Sequence, residues 1–524
     1  MKEKFSSHVV GLILISTIIR LFFSAFLEFG NDEVYYWTYA LYPDWSHFDH
    51  PPMIGWMIQL FTGNLYFDGE WAIRLPSVIL GAVNTWVLFL IGKRIKNELT
   101  GFFAAFLYTC SIYSFLLVGV FILPDTPMIF FMLLAFYTFL KVFMSESIGK
   151  SERQGMILAG VLTGLGMISK YNAVFVWVGA GLYILLFSRK WFKELSLYVS
   201  VIISLIILFP VIYWNDLNNW ISFTFHGERV DIFESGLKLD YFFSELGGEI
   251  LYNNPVYFIL IICVFVALIR KKDLQLQGQS MRVILLMSLP IIGVFLLFSL
   301  FRRTLPHWNS PGYVILMPLV GAFLADKFRR NLKPILFPWP LKIASGLLVV
   351  ILLLGALQIK MGVLGLDKQS NYYELGEDDV SLDMYGWTQI ERQFAEYRLD
   401  AIAKGDMPKD APIISYKWFP LANLDYYVAR PLKMRTLAIG QLQDIHKYAW
   451  INRIRGGFSE GMDAWYITTS RNFKSPVDIY KPYFQEINIV DTIQIYRGGQ
   501  IEKRAFVYEL KDMKKIPIDV LKAL

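Results

Sequence analysis

Residues 31–52, NDEVYYWTYALYPDWSHFDHPP, collect acidic, histidine and aromatic side chains directly after an apolar run. The segment contains no lysine or arginine, and its ionisable carboxylates and imidazoles are Asp32, Glu33, Asp44, His47, Asp49 and His50. A carboxylate can act as general base towards an attacking hydroxyl group. Asp32 and Glu33 are adjacent, and because like charges repel, we expect one of them to be protonated or paired with a cation. The pair therefore predicts a catalytic base.

Two other features of this segment suggest ligand binding. Asp49 and His50 precede two prolines, which fix the backbone and favour an extended residue before them. Together with His226 they could form a divalent-cation site, although adjacent residues rarely bind one ion well together. The aromatic residues, Tyr35 and Tyr36 among them, fit either an interfacial belt or a platform for the face of a sugar ring.

The composition of the whole chain indicates a membrane protein. Of 524 residues, 55% are hydrophobic and 18% are charged, whereas a soluble chain has about 25% charged residues. The two cysteines, Cys110 and Cys263, lie in apolar runs, which excludes a disulfide framework and a thiolate metal site. The basic residues are scattered in short groups, so we expect no nucleic acid partner.

Apolar runs long enough to cross a bilayer predict eleven membrane-spanning helices. They are expected at 8–28, 71–92, 100–120, 126–144, 155–169, 171–188, 195–214, 254–269, 282–301, 310–325 and 340–360. No cleavage site follows the first run, which indicates an uncleaved span. If the N-terminus is cytoplasmic, most lysines and arginines fall on the cytoplasmic side, as the positive-inside rule requires. The chain is thus expected in the cytoplasmic (inner) membrane.

The C-terminal part is predicted to be a separate domain on the outer, periplasmic face. From 361 the sequence is polar, and APIISYKW, AWYITTS and IQIYRGG read as strands beside an amphipathic helix at 387–404. We therefore predict an α-helical multi-pass domain over 1–360, with a first outer loop at 29–70, and a soluble mixed α/β domain over 361–524.

With this orientation, unusual polar residues converge on the outer face. Besides the first loop, they are Asp125, Lys170, His226, Arg229, Arg302, Arg303 and His307, and Arg20 lies just below them in the first span. Polar groups at membrane depth usually face a cavity or a partner, although each taken alone could simply be solvated or contact lipid headgroups. Arginine and lysine bind phosphate well. A phosphate on an apolar tail, a sugar and a carboxylate base together indicate sugar transfer from a polyprenyl phosphate.

Seven stretches between 31 and 320 resemble the polyprenyl-phosphate-sugar-dependent membrane glycosyltransferases of the GT-C fold. They are NDEVYYW, YPDWSHFDHPPMIGWMIQL, GEWAIRLPSVILG, LPDTPMIFF, GLGMISKYNAVF, FPVIYWNDLNNWISFTFHGERV and LPHWNSPGYVILMP. This superfamily includes protein O-mannosyltransferases and lipid A aminoarabinose transferases. In the latter branch an acidic residue and a lysine stand where this chain has Asp49-His50.

The resemblance implies roles for individual residues. Asp32 would be the base, Glu33 its companion and Asp125 a second acidic position. Arg302 and Arg303, with Lys170, would bind the donor phosphate, and Asp49-His50 would border the active cavity. From their residue types rather than from the resemblance, we add Arg229 to the phosphate-binding set and Tyr35, Tyr36, His226 and His307 to the substrate-binding set. The family typically inverts the anomeric carbon, which requires one base and a phosphate leaving group.

Partners and cofactors follow from the same interpretation. We expect a polyprenyl-phosphate-linked sugar as donor, a glycan, lipid or protein as acceptor, and membrane lipid around the spans. No cofactor is required by these residues, and a divalent cation is the one candidate. The alternatives are a transporter or flippase of a lipid-linked sugar, a ligase of lipid-linked glycans that acts on a diphosphate lipid, and a receptor. The acidic, aromatic first loop favours the transferase.

Overall fold

The computed structural model describes residues 5–230, 236–270, 276–328, 338–366 and 371–522. The chain forms two compact units. The first comprises residues 1–25 and 43–351, and the second comprises residues 26–42 and 352–524. The second unit therefore takes a short segment from the N-terminal part of the chain. The domain boundary predicted at 360/361 did not anticipate this segment and stays a prediction.

Twenty α-helices make up most of the described chain. They are α1 (Phe5–Phe26), α2 (Asn31–Leu41), α3 (Met53–Thr62), α4 (Glu70–Ile95), α5 (Glu98–Cys110), α6 (Asp125–Phe143), α7 (Lys150–Met167), α8 (Val174–Phe187), α9 (Leu195–Leu217), α10 (Ile221–Val230), α11 (Leu239–Tyr252), α12 (Pro255–Ile269), α13 (Gly278–Ser299), α14 (Ser310–Phe328), α15 (Trp339–Met361), α16 (Trp387–Lys404), α17 (Trp418–Leu424), α18 (Leu442–Ile445), α19 (Tyr448–Ile454) and α20 (Pro476–Tyr480). The segment 29–70, expected to be an outer loop, thus contains helices α2 and α3.

Each of the eleven predicted spans overlaps a helix. Judged by length and apolar composition, however, fewer than eleven of the described helices could cross a membrane. In the described ranges seven helices are long and apolar enough to cross a membrane: α1, α4, α6, α9, α13, α14 and α15. The pair α11 and α12, bent by 103°, would make an eighth. The predicted span 100–120 is interrupted because α5 ends at Cys110 and a π-helical turn, Tyr113–Leu117, follows. The count of eleven is not confirmed.

The helices of the first unit pack closely where small residues face each other. A Cβ atom added at Gly160 on α7 would meet the backbone carbonyl oxygen of Ser200 on α9. The hydroxyl of Ser204, also on α9, donates to the carbonyl of Gly160 at 2.6 Å. Small residues let helix backbones approach in this way in membrane proteins. This contact holds α7 and α9 together, and α7 leads directly to Lys170.

The second unit is built on a five-stranded mixed sheet, as the expected α/β class requires. Its strands are β1 (Ile413–Ser415), β2 (Thr436–Ala438), β3 (Ala464–Thr469), β4 (Phe484–Arg497) and β5 (Gln500–Met513). Their order is β2-β1-β3-β5-β4, with β1 parallel to β2 and β3 and the other pairs antiparallel. Gly498 and Gly499 join β4 to β5 with φ of 59° and 85°, a conformation that glycine adopts readily.

Candidate functional site

A buried ion pair between Asp125 and Lys170 lies among the predicted site residues of the first unit. Asp125 begins α6, where the helix dipole favours a negative charge, and Lys170 lies in the turn between α7 and α8. Lys170 Nζ is 2.6 Å from Asp125 Oδ2, and the two side chains are 7% and 3% exposed. The hydroxyl of Tyr113 donates to Asp125 Oδ1 at 2.7 Å. Both carboxylate oxygens therefore accept a hydrogen bond, as an ionised aspartate can.

The segment between α2 and α3 is fixed against other elements of the first unit by side-chain and backbone hydrogen bonds. The indole nitrogen of Trp214 donates to Asp44 Oδ2 at 2.8 Å. The hydroxyl of Ser222 donates to the carbonyl of His47 at 2.9 Å, and the amide of Met53 donates to the carbonyl of Ile168 at 3.2 Å. The last bond ties this segment to the end of α7, two residues before Lys170.

Two histidines and Asp49 meet at this segment. His226 Nε2 donates to the backbone carbonyl of Asp49 at 2.5 Å, since a carbonyl oxygen can only accept. The rings of His50 and His226 are 5.8 Å apart between centroids. Burial lowers the pKa of His50 to about 3, although Asp49 acts in the opposite direction. Burial also lowers the pKa of His226. Both imidazoles are therefore neutral at pH 7.

The segment before α14 brings His307 and Trp308 to the same cluster. Burial and the charge of Lys170 lower the pKa of His307 to about 4, against the opposing effect of Asp125. The side-chain amide of Asn172, two residues after Lys170, donates to the carbonyl of Trp308 at 3.1 Å. Arg229 lies over the Trp308 ring, with its guanidinium carbon 5.9 Å from the ring centroid.

The structure thus brings together seven of the predicted site residues around the ion pair or its flanking segments. Besides Asp125 and Lys170 themselves, they are Asp49, His50, His226, Arg229 and His307. Arg302 and Arg303 lie between α13 and α14, on the same segment as His307. Arg302 is half-buried and Arg303 is exposed. Their predicted role at the phosphate stays a prediction.

The other predicted residues belong to the second unit, on α2. Asp32 is exposed in the first turn, whereas Glu33 is buried and its Oε2 accepts a hydrogen bond from the amide of Gly30 at 3.0 Å. Glu33 therefore caps its own helix. Tyr35 and Tyr36 are buried as well, and the Tyr35 ring lies 5.0 Å from the ring of Trp418 between centroids. Their predicted contact with a sugar stays a prediction.

Arg20 was expected to face a cavity or a partner, and it is fully buried in the first unit. Its guanidinium carbon lies 4.9 Å from the centroid of the Phe115 ring. A Cβ atom at Gly81 would be 2.8 Å from Arg20 Nη1, and one at Gly119 would be 2.6 Å from its Nε. The two glycines therefore leave the space that this guanidinium group occupies.

Reasoning from the sequence about single outer-face charges missed a second buried polar cluster. Tyr313 donates from its hydroxyl to Glu249 Oε2 at 2.6 Å, and the amide of Asn309 bonds to the other oxygen of Glu249. The same amide lies 3.4 Å from Glu245 Oε1. The spacing of Glu245 and Glu249, four residues apart in FSELGGEIL, could have revealed it because such residues share one helix face.

The predicted divalent-cation site finds no support in the described ranges. No group of three or more His, Cys, Asp or Glu side chains there is placed to hold a metal ion. His226 uses Nε2 to donate to a backbone carbonyl, so this nitrogen is not directed at a cation.

Tyr113 was not among the predicted site residues. Its contact with Asp125 depends on the π-helical turn that interrupts the predicted third span.

The chain is similar to known proteins both in sequence and in structure. The profile of the family described as dolichyl-phosphate-mannose-protein mannosyltransferase matches residues 49–214. The lipid A galacturonosyltransferase of Rhizobium johnstonii is 22% identical over 321 residues, which are 60% of this chain and 64% of that protein. An uncharacterized protein of Aquifex aeolicus is 21% identical over 57% of this chain and 58% of its own length. The matches thus span less than two thirds of these relatives.

The structural similarity extends over nearly the whole chain. ArnT from Cupriavidus metallidurans, in a crystal structure bound to undecaprenyl phosphate, matches with a TM-score of 0.62 and 15% identity. The match covers 97% of this chain and 98% of ArnT. The apo structure of the same protein matches with a TM-score of 0.61. Similarity at this identity establishes the fold, and it confirms the predicted class of helical membrane protein with a C-terminal α/β part.

Proposed function

We propose that this chain, a multi-span membrane protein with the GT-C fold, is an inverting glycosyltransferase that uses a polyprenyl monophosphate sugar. It moves the sugar to an acceptor hydroxyl at the outer face of the cytoplasmic membrane. The observation that carries the proposal is the match in fold, over nearly the full length, to a protein whose crystal structure holds undecaprenyl phosphate. The galacturonosyltransferase and mannosyltransferase similarities support the same reaction class.

In this reaction the acceptor oxygen forms a bond to the anomeric carbon while the bond from that carbon to the phosphate oxygen breaks. The phosphate leaves with the bonding electrons, so no acid is needed to protonate it. The proton of the acceptor hydroxyl goes to a carboxylate base, for which we propose Asp32. Asp32 is the exposed member of its pair, whereas Glu33 is buried and caps the helix. An exposed carboxylate can be reached by an acceptor hydroxyl, which suits general base catalysis.

The leaving phosphate requires positive charge that is already in place. We propose Lys170 for this role because Asp125 fixes its ammonium group in a buried position. Arg229 is exposed and lies over the rings of Phe225 and Trp308, at 4.9 and 5.9 Å from their centroids. A guanidinium group held in this way can bind phosphate oxygens in a bidentate manner. Arg302 and Arg303 complete the proposed set of phosphate-binding residues.

The three histidines have a different role in this proposal. His50, His226 and His307 are neutral at pH 7, as their lowered pKa values require. Neutral imidazoles can both donate and accept hydrogen bonds, which suits contact with sugar hydroxyls. We therefore propose that they border the sugar, with Asp49 holding His226 in place.

We propose the orientation with the N-terminus inside and the second unit outside, because it leaves most lysines and arginines in short cytoplasmic segments. In this orientation Asp32, Asp125, Lys170 and Arg229 are expected on the outer side of the membrane. The donor and the acceptor are accordingly expected on the periplasmic side of the membrane.

Sugar transfer by the purified full-length chain tests the proposal. A panel of radiolabelled polyprenyl monophosphate sugars is supplied with membrane extract as acceptor, and the wild type is compared with Asp32→Asn and Asp406→Asn. Asp406 is an exposed aspartate of the same unit with no proposed role. We expect transfer from one donor, a loss of roughly 100-fold or more in Asp32→Asn with donor binding intact, and full activity in Asp406→Asn.

Two outcomes would contradict the proposal in different ways. If the folded wild type transfers no sugar from any monophosphate donor while a known transferase works in the same assay, the reaction class is wrong. The transporter or the diphosphate-dependent ligase then becomes the better interpretation. If Asp32→Asn retains full activity, the class stands and Asp32 is not the base.

A further inference from the structure

Helix α2, which carries Asp32, is bound at its N-terminal end by residues that come almost 400 positions later in the chain. The amide of Phe29 donates to the hydroxyl of Tyr427 at 2.6 Å. The side-chain amide of Asn423 donates to Asn31 Oδ1 at 3.1 Å. Both contacts lie within the second unit. The start of the acidic helix is therefore fixed by the segment around α17.

A buried lysine binds the other end of the same helix. Lys447 Nζ donates to the carbonyl of Thr38 at 3.1 Å and to the carbonyl of Tyr42 at 2.6 Å. The ammonium group also lies 4.6 Å from the centroid of the Tyr39 ring. The backbone amide of Lys447 donates to the hydroxyl of Tyr35 at 3.3 Å. Lys447 itself is 4% exposed.

The physical effect of this contact is specific to a helix terminus. The last carbonyls of a helix have no partner within the helix, and the helix dipole places partial negative charge there. The carbonyl of Thr38 already accepts the amide of Tyr42 at 2.9 Å, so the ammonium group adds a second hydrogen bond there and a favourable charge at this end of the helix. Burying an ammonium group is costly unless its donors are satisfied. The buried position of Lys447 therefore depends on the carbonyls at the C-terminal end of α2.

We infer that Lys447 is a positioning residue for Asp32, and that the second unit exists in part to hold α2 in its active geometry. The inference rests on the proposed role of Asp32 in sugar transfer. Lys447 contacts the C-terminal end of α2, and Asp32 lies in the first turn. Because α2 is only eleven residues long, release of its C-terminal end lets the helix pivot about the contacts of Phe29 and Asn31, which changes the direction in which its first turn presents Asp32. Small displacements of a catalytic group reduce rates strongly.

The same unit offers a matched control in Lys503. Its Nζ donates to the carbonyls of Leu382 and Tyr385, at 2.8 and 2.5 Å, and lies 4.7 Å from the centroid of the Trp387 ring. Like Lys447, Lys503 is a buried lysine against two carbonyls and one aromatic face, and Glu28 and Asp383 also act on its charge. It caps a different segment, since neither carbonyl belongs to α2. Loss of either lysine should destabilise the unit to a similar extent.

The test compares full-length wild type, Lys447→Met and Lys503→Met in three measurements. These are the steady-state kinetics of sugar transfer, the thermal unfolding of the protein, and hydrogen–deuterium exchange of the amides in 31–41. For Lys447→Met we expect kcat to fall roughly 10- to 100-fold, with KM for the donor within about twofold, and exchange in 31–41 to rise at least tenfold. For Lys503→Met we expect the exchange in 31–41 and kcat to stay close to wild type at temperatures where both variants are folded.

The outcomes separate this inference from the proposed function. Equal losses of kcat in both variants, or unchanged exchange in 31–41 in Lys447→Met, would overturn the positioning role while the reaction class stands. If the wild type transfers no sugar, the proposed function fails, and the exchange measurement still decides whether Lys447 holds α2. If Lys447→Met does not fold, Lys447→Gln, which keeps a donor without the charge, replaces it in the same comparison.

Discussion

Lys170 Nζ and Asp125 Oδ2 lie 2.6 Å apart in the interior of the first unit, although the two residues are 45 positions apart in the sequence. Each belongs to a different helix connection, so the pair joins the start of α6 to the end of α7. An ion pair of this kind contributes little net stability, because desolvation of both charges offsets their attraction. The main effect of the pair is therefore the fixed orientation of Lys170 rather than added stability.

Removal of the Lys170 ammonium group should affect both stability and sugar transfer. In Lys170→Met the charge of Asp125 is left buried without its cation, which should cost about 3–5 kcal/mol of stability. We expect sugar transfer to be lost, together with a lower midpoint of thermal unfolding. The double variant Asp125→Asn with Lys170→Met leaves no buried charge at this place and should recover much of the stability but no transfer. Transfer by the double variant would show that the pair is structural only.

The adjacent acidic residues of α2 should differ in their effects. Glu33 is buried and accepts the amide of Gly30, and a glutamine retains an acceptor oxygen at this place. We expect Glu33→Gln to lose less than about 1 kcal/mol of stability and to retain most transfer. Kinetics and thermal unfolding of Glu33→Gln beside Asp32→Asn measure this. If Glu33→Gln is the inactive variant of the two, the roles of the carboxylates are exchanged.

The histidines of the first unit make stability depend on pH in a defined direction. The pKa values of His50 and His307 are lowered to about 3 and about 4, whereas an unfolded histidine titrates near about 6.5. Below about pH 6.5 the unfolded state therefore binds more protons than the folded state. The contribution of these histidines to the free energy of unfolding is fully present above this pH and is lost as the pH is lowered towards 4.

The size of this effect can be measured by thermal unfolding between pH 7.5 and 4.5. Each neutral histidine should contribute up to about 1.4 kcal/mol per pH unit in this window. His307→Gln removes one such group near Lys170 and should make the profile less steep. A profile equally steep in His307→Gln and wild type would mean that the pKa of His307 is the same in the folded and the unfolded protein.

The close contact of α7 and α9 gives a further expectation. Gly160→Ala introduces a methyl group against the backbone of Ser200, and such overpacking typically costs about 1–3 kcal/mol. Gly181→Ala, on α8, is the control because nothing lies within 4 Å of the added Cβ atom. In that variant alanine should be neutral or stabilise the helix by up to about 1 kcal/mol. Equal thermal stability of the two variants would contradict the packing described for Gly160.

Much of this fold could be predicted from hydropathy, since a helix in lipid has to satisfy its own backbone hydrogen bonds. Every expected span contains helix, and the C-terminal helix expected at 387–404 is α16. The number of crossings was harder to predict. Apolar runs do not reveal the turn after Cys110 or the bend of 103° between α11 and α12, because side chains around Asn253 and Asn254 form hydrogen bonds to distant residues there.

The sequence could predict site residues that stand out as single charges near the membrane. It could not predict features that depend on contacts between distant residues. Asp125 and Lys170 were identified as unusual charges at the outer face, but their pairing follows from the packing of α6 and α7. Tyr113 could not be distinguished from the other aromatic residues of its apolar run. The burial of Tyr35 and Tyr36 was equally hidden, because their neighbours, such as Trp418, come from the far end of the chain.

The division of the second unit between two distant parts of the chain has a consequence during synthesis. Thr38 precedes Lys447 by 409 residues, so at roughly 5–20 residues per second the ribosome needs about 20–80 s to reach the lysine after α2 has been made. During this time α2 lacks its partners from the C-terminal quarter of the chain, so its aromatic side chains are not yet buried against them. A nascent or prematurely terminated chain would therefore insert its helices and still lack a fixed Asp32, which delays activity until translation is complete.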